Sequence, residues 1–310
     1  MVSTEPAQTT QTGEQTDIDQ SQSGAPAGGR AVRDFFSSDE IFARVAASAE
    51  EEFALPYRML FLSGLAAGMS IGLSFIARAA VTARLPEGAL PIGGDILYPV
   101  GFLLIVLGRY QLFTENTLTP VTLVMTRIAS VPALLVNWGV VLSANLLGAL
   151  LEATLLAATE ILSPEAAAAA RSFGQHALEL SFSALFFKGL IAGWLVASMV
   201  WVVHAARDSV SRFLIVYFLM FLIPALGLYH CIIGACEVIY LLYFGGTCIG
   251  QAFFGFFLPV LLGNTVGGVL LVAILNYEQT RESRFPGHSG EPPLTWQEWL
   301  FGYHTGSQNH

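Results

Sequence analysis

Two apolar runs, residues 94–126 and 213–246, are each too long to be one plain membrane span, and each is interrupted in its middle. A span needs about 20 apolar residues to cross roughly 30 Å of hydrocarbon. A continuous helix of about 33 residues would reach roughly 50 Å. The first interruption contains Gln111, Thr114, Glu115, Asn116, Thr117 and Pro120, and the second contains Pro224, Gly227, Tyr229, His230 and Gly234. Irregular backbone at membrane depth has no water to bond its peptide groups, so it persists only where protein covers it or where it lines a cavity. Each run therefore predicts two half-helices joined by a break that faces a protein interior or a pore.

Four plainer apolar segments, 59–83, 131–158, 182–205 and 250–276, bring the total to six. With 54% hydrophobic and 12% charged residues and a mean hydropathy of +0.61, the chain reads as an all-α integral membrane protein. Its formal charge of −9 is concentrated in tails and extramembrane loops such as Glu50–Glu52, and nothing in it resembles a nucleic-acid-binding surface. Cys231, Cys236 and Cys248 fall in or at the end of the fifth segment, without metal-ligand spacing, and read as small buried hydrophobes. The phosphate-cradling GxxxxGK[ST] and HExxH patterns are missing. An ATP-driven pump and an intramembrane enzyme are thus disfavoured, and no cofactor or metal is implied.

Residues 1–37 are polar and rich in Gln, Thr, Ser and Gly, which predicts a disordered cytoplasmic tail and not a targeting peptide. Residues 38–278 form the membrane domain. It opens with an amphipathic helix, for which Ser37 and Ser38 are good N-cap residues, followed by the acids Asp39 and Glu40. Residues 279–310 read as a cytoplasmic C-terminal tail, in which Leu294–Phe301 is either a short interfacial anchor or a loosely ordered stretch.

The two halves of the membrane domain match. Segments one to three hold a broken helix and then Asn145, and segments four to six hold a broken helix and then Asn264. Thr114 precedes Asn145 by 31 residues and His230 precedes Asn264 by 34. Three spans per half is an odd number, so the halves are expected to be inverted repeats, with a substrate path where their broken helices meet. Asn145 and Asn264 are expected to tie the free backbone groups of the breaks.

The motifs Leu112-Phe-Thr-Glu-Asn-Thr117, Asn145-Leu-Leu-Gly-Ala-Leu150, Gly189-Leu-Ile-Ala-Gly-Trp-Leu-Val196, Gly227-Leu-Tyr-His230 and Pro259-Val-Leu-Leu-Gly-Asn-Thr-Val-Gly-Gly268 occur in this order. Over residues 38–278 the chain resembles the formate/nitrite transporter family of small-anion channels. The resemblance implies an aquaporin-like protomer of six transmembrane helices, two of them broken, as inverted three-helix repeats. It also implies a homopentamer in a lipid bilayer, with one pore per protomer. Thr114 and His230 are then the pair that meets mid-pore, and Leu112 and Phe113 contribute to its hydrophobic constrictions. The chain departs from the family at Tyr229, where an acidic residue is common, at Gly193, where an asparagine usually supports the histidine, and at Gln111 and Arg109.

The implied function is passage of formate, nitrite, acetate, lactate or hydrosulfide, or their weak acids. A non-conducting or neutral-solute membrane protein on the same scaffold is the alternative. His230 is either a proton-exchanging pore residue or a core histidine bonded to backbone. Thr114 either donates to an anion or bonds its own helix. Lys188 either snorkels to the outer interface or draws anions into a vestibule. Arg109 is expected to pair with Glu115 or Glu237.

Arginines set the orientation. Arg30, Arg33, Arg44, Arg58, Arg127, Arg207, Arg212, Arg281 and Arg284 share a side with both termini, which the positive-inside rule places in the cytoplasm of a bacterial or archaeal cell. A green fluorescent protein fused after His310 is expected to fluoresce, and alkaline phosphatase fused there to be inactive. The reverse pattern would overturn this orientation.

Overall fold

The computed structural model describes residues 36–86, 91–280 and 293–302, and these are helical, with no strand among them. The expectation of disorder for the N-terminal tail lies outside the described residues over 1–35. A first helix, α1 (Ser38–Ala54), buries Phe42, Val45, Ala46 and Ala49. That is the apolar stripe its spacing predicts, and Ala46 and Ala49 pack on Leu123.

Among the described residues, four helices are long and apolar enough to cross a membrane: α2 (Tyr57–Thr82), α5 (Val131–Ala158), α7 (Phe182–Ala205) and α10 (Gln251–Gln279). Side chains fix where two of them begin. Ser130 Oγ accepts from Ala133 N–H ahead of α5, and Ser181 Oγ accepts from Ala184 N–H ahead of α7. Exposed leucines such as Leu147, Leu151 and Leu155 line the flank of α5. In the C-terminal tail a short helix, α11 (Trp296–Phe301), is held against the membrane domain by Trp299 Nε1, which donates to Val124 O at 2.7 Å.

The two long apolar runs are broken, as their sequences require. The first becomes a 3-10 turn (Pro91–Leu97), α3 (Val100–Gly108), a second 3-10 turn (Glu115–Thr117) and α4 (Thr119–Met125). The second becomes α8 (Ser209–Ala225) and α9 (Cys231–Tyr243), and α6 (Pro164–Leu178) lies between α5 and α7.

The two breaks share one hydrogen-bond pattern. Each starts with a left-handed residue, Arg109 at φ 56° and Gly227 at φ 62°. The next N–H then reaches back to close the helix, Tyr110 to Ile105 O at 3.0 Å and Leu228 to Ile223 O at 2.8 Å. Asn145 Oδ1 accepts from Phe113 N–H, and its Nδ2 donates to Gln111 O and Gly64 O. Asn264 Oδ1 accepts from Cys231 N–H, and its Nδ2 donates to Tyr229 O and Gly189 O. In this register Gln111 matches Tyr229 and Phe113 matches Cys231, so the counterpart of His230 is Leu112. Thr114 stands two residues further on, which accounts for two of the three residues by which the spacings of 31 and 34 differ.

Close backbone approach completes the match. A Cβ at Gly68 would lie 2.3 Å from Asn145 O, and one at Gly193 would lie 2.1 Å from Asn264 O. Only glycine fits either place. Replacing Asn264 with Ala strands one buried donor and two carbonyls. The expected cost is about 2–3 kcal/mol, read as a lower unfolding midpoint in detergent. An unchanged midpoint would show that the break is held by other contacts.

Candidate pore site

Thr114 caps the 3-10 turn of the first break, and His230 caps α9 at the second. Both are buried, and Thr114 Oγ1 lies 2.7 Å from His230 Nε2. Ile233 N–H donates to His230 Nδ1 at 3.4 Å. The network therefore assigns the proton of a neutral ring to Nε2, which donates to Thr114 Oγ1. That leaves the threonine's own proton uncommitted. The Phe102 ring stands edge-on to the imidazole, 5.0 Å between centroids.

Cavities lie toward opposite ends of α7. One, of about 390 Å³, is lined by Lys188, Tyr229, His230 and Glu237. The other, of about 750 Å³, is lined by Glu51 and Glu52 of α1 and by Arg109, Gln111, Glu115 and His204. Lys188 and His204 are 16 residues apart on one helix, roughly 24 Å along its axis. The first cavity reaches His230, and the second reaches Gln111 and Glu115, on either side of Thr114.

Lys188 Nζ donates to Gly227 O at 2.7 Å, so its ammonium is tied to the second break. The Tyr229 ring packs edge-on against Phe256. Leu112 and Phe113 are buried. Neither is among the residues lining the two cavities, and the Phe113 ring rests against Trp138.

Two expectations are corrected. Arg109 pairs with Glu51 of α1, not with Glu115 or Glu237, because the left-handed turn carries it toward the α1 end of the bundle. Cys248 is exposed, unlike Cys231 and Cys236, because it lies beyond the end of α9. Sequence reading also missed a cluster beside the first cavity, in which Arg78 bonds Asp95 at 2.8 Å and approaches Glu237 at 3.5 Å. A charge inside each of three apolar segments, Arg78, Asp95 and Glu237, was the available signal.

On the α1 side, Thr119 Oγ1 donates to Glu52 at 3.0 Å. Burial pushes the Glu52 carboxyl up to about 7, against the pull of Thr119, Gln111 and Arg109. Nearby, Glu115 Oε1 is buried without a hydrogen-bond partner.

A family model described as "Formate/nitrite transporter" matches residues 39–278. The chain belongs to the formate/nitrite transporter family. Among curated relatives of this family member, the inner membrane protein YfdC of Escherichia coli is 32% identical over 239 residues, covering 75% of each chain. The formate channel FocA of Haemophilus influenzae is 28% identical, covering 56% of this chain and 62% of its own. A solved FNT family ion channel superposes with a TM-score of 0.70 at 20% identity, covering 79% of this chain and all of its own. A pentameric formate channel with formate bound gives 0.62 at 23% identity, covering 72% and 96%. These two likenesses establish the fold. In this formate/nitrite transporter family member, Gly193 packs closely on Asn264.

Glu52 predicts a pH dependence for the docking of α1. Its carboxyl is raised from 4.5 to about 7 when docked, so the docked state holds a proton that the undocked state has lost between those values. Docking is unaffected below 4.5, weakens as pH rises, and reaches its full loss above about 7. Hydrogen exchange in α1 is expected to speed up over that range, and Glu52→Gln to abolish the change. A wild-type α1 with pH-independent protection, after correction for intrinsic exchange, would refute this.

Proposed function

We propose that this chain is a channel for small monovalent anions or their weak acids (formate, nitrite, acetate, lactate or hydrosulfide), with permeation passing Thr114 and His230. The observation that carries this reading is the 2.7 Å contact between these two residues, placed between cavities at opposite ends of α7. The protomer has six transmembrane helices, with α3–α4 and α8–α9 as the two broken spans, arranged as inverted three-helix repeats. The matching asparagine clamps support that arrangement. Homopentamer assembly is supported by the pentameric neighbour and by the apolar flank of α5. The membrane is the cytoplasmic one, with both termini in the cytoplasm, so the cavity holding Lys188 is the outer vestibule and the α1 cavity the inner one. The protein is not an enzyme.

An anion crossing a dry constriction must have its hydration replaced. Thr114 supplies an uncommitted hydroxyl proton, the N-terminal end of α9 supplies a positive dipole, and Lys188 supplies a charge at the outer mouth. His230 keeps the threonine oriented by donating to it. Leu112, at the counterpart position of the first break, and Phe113 keep the same level apolar.

Stopped-flow formate entry into proteoliposomes tests this. Wild-type flux is expected above empty vesicles, on the order of tenfold lower in Thr114→Val because one hydrogen bond to a charged group is lost. His230→Asn is expected to lower the flux as well, because the shorter amide leaves Thr114 without the Nε2–H donor that orients it. Folded, oligomeric protein that passes none of the five solutes would favour the non-conducting or neutral-solute alternative.

A further inference from the structure

On α9, His230, Ile233, Gly234 and Glu237 all line the outer cavity. Their spacing of three, four and seven residues places them on one face, with Glu237 about two turns, roughly 10 Å, from His230. Glu237 is 3% exposed. Its ion-pair partner is Arg78 at 3.5 Å, while the same guanidinium bonds Asp95 at the shorter 2.8 Å. One arginine thus faces two carboxylates. If both were ionised, this three-residue cluster would carry a net negative charge beside an anion path. Protonation of the more loosely bound one, Glu237, removes that repulsion.

We propose that Glu237 is the proton-exchanging carboxyl of the outer vestibule, delivering a proton to a weak-acid anion on its way to Thr114 and His230. This rests on the channel reading above. With formate as substrate, the Glu237 O–H bond breaks and a formate O–H bond forms. Neutral formic acid moves inward, and the glutamate, now an anion balanced by Arg78, takes its next proton from water on the outer side. One proton and one formate enter together. Asp95 is a positioning residue: by holding Arg78 it limits how strongly the guanidinium stabilises ionised Glu237.

The other groups facing Glu237 come from several elements. Arg78 lies on α2, Asp95 and Tyr98 lie in and after the 3-10 turn, His176 lies on α6, and Lys188 lies on α7. Glu152 of α5 acts on the neighbouring Cys236, and Tyr229 and His230 belong to the second break. Among them Arg78 alone is in ion-pair contact with Glu237.

Formate entry at outer pH 7 and pH 5 tests the proposal in reconstituted full-length protein. At pH 7 free formic acid is scarce and the relay matters; at pH 5 water supplies the acid directly. Glu237→Gln is expected to lower entry at least tenfold at pH 7 and much less at pH 5, with Glu237→Asp restoring part of the rate. Asp95→Asn frees Arg78 for Glu237, favours the carboxylate and is expected to lower the pH 7 rate selectively. Entry by Glu237→Gln that equals wild type at pH 7, or falls by the same factor at both pH values, would overturn the proposal. Should that variant fail to assemble, an Asp95→Asn profile parallel to wild type overturns it instead. A wild type without formate entry at either pH would be a failure of the channel reading itself, and is distinguishable because no variant is needed to see it.

Discussion

A chain that leaves helical geometry inside a bilayer exposes peptide groups that no water can satisfy, and in this protein two side-chain amides satisfy them. Asn145 and Asn264 each take up one N–H and two carbonyls, joining the first break to α2 and the second to α7. With the breaks fixed, Thr114 and His230 are held within hydrogen-bond distance across 116 residues of sequence.

The same scaffold is used twice with different chemistry. The first break places Leu112 where the second places His230, and Arg109 where the second places Gly227. A left-handed conformation suits glycine, so Arg109 is held there at some cost in backbone energy. Its guanidinium gains a partner in Glu51 of α1. The end of the bundle that holds α1 is therefore charged and in contact with the amphipathic helix, whereas toward the other end Lys188 bonds the Gly227 carbonyl.

Much of this was legible in the sequence. The bounds 131–158 and 182–205 coincide with α5 and α7 because N-cap serines and apolar composition act locally. The breaks were legible because polar residues and helix breakers in an apolar run leave few physical options. The partners of Arg109, Arg78 and Glu237 were not, because ion pairs between distant segments depend on which way each break turns the chain. Cys248 was misread for a related reason: apolar composition says that a residue is near the membrane, not which neighbours cover it.

The glycine contacts have a mechanical consequence. Where α2 meets Asn145 of α5, and α7 meets Asn264 of α10, backbones touch with no room for a single methyl group. Side chains that interdigitate can slip by changing rotamer, but backbones in direct contact cannot. The bundle is therefore stiff along these two seams, and any compliance within it must come from side chains that lie away from them.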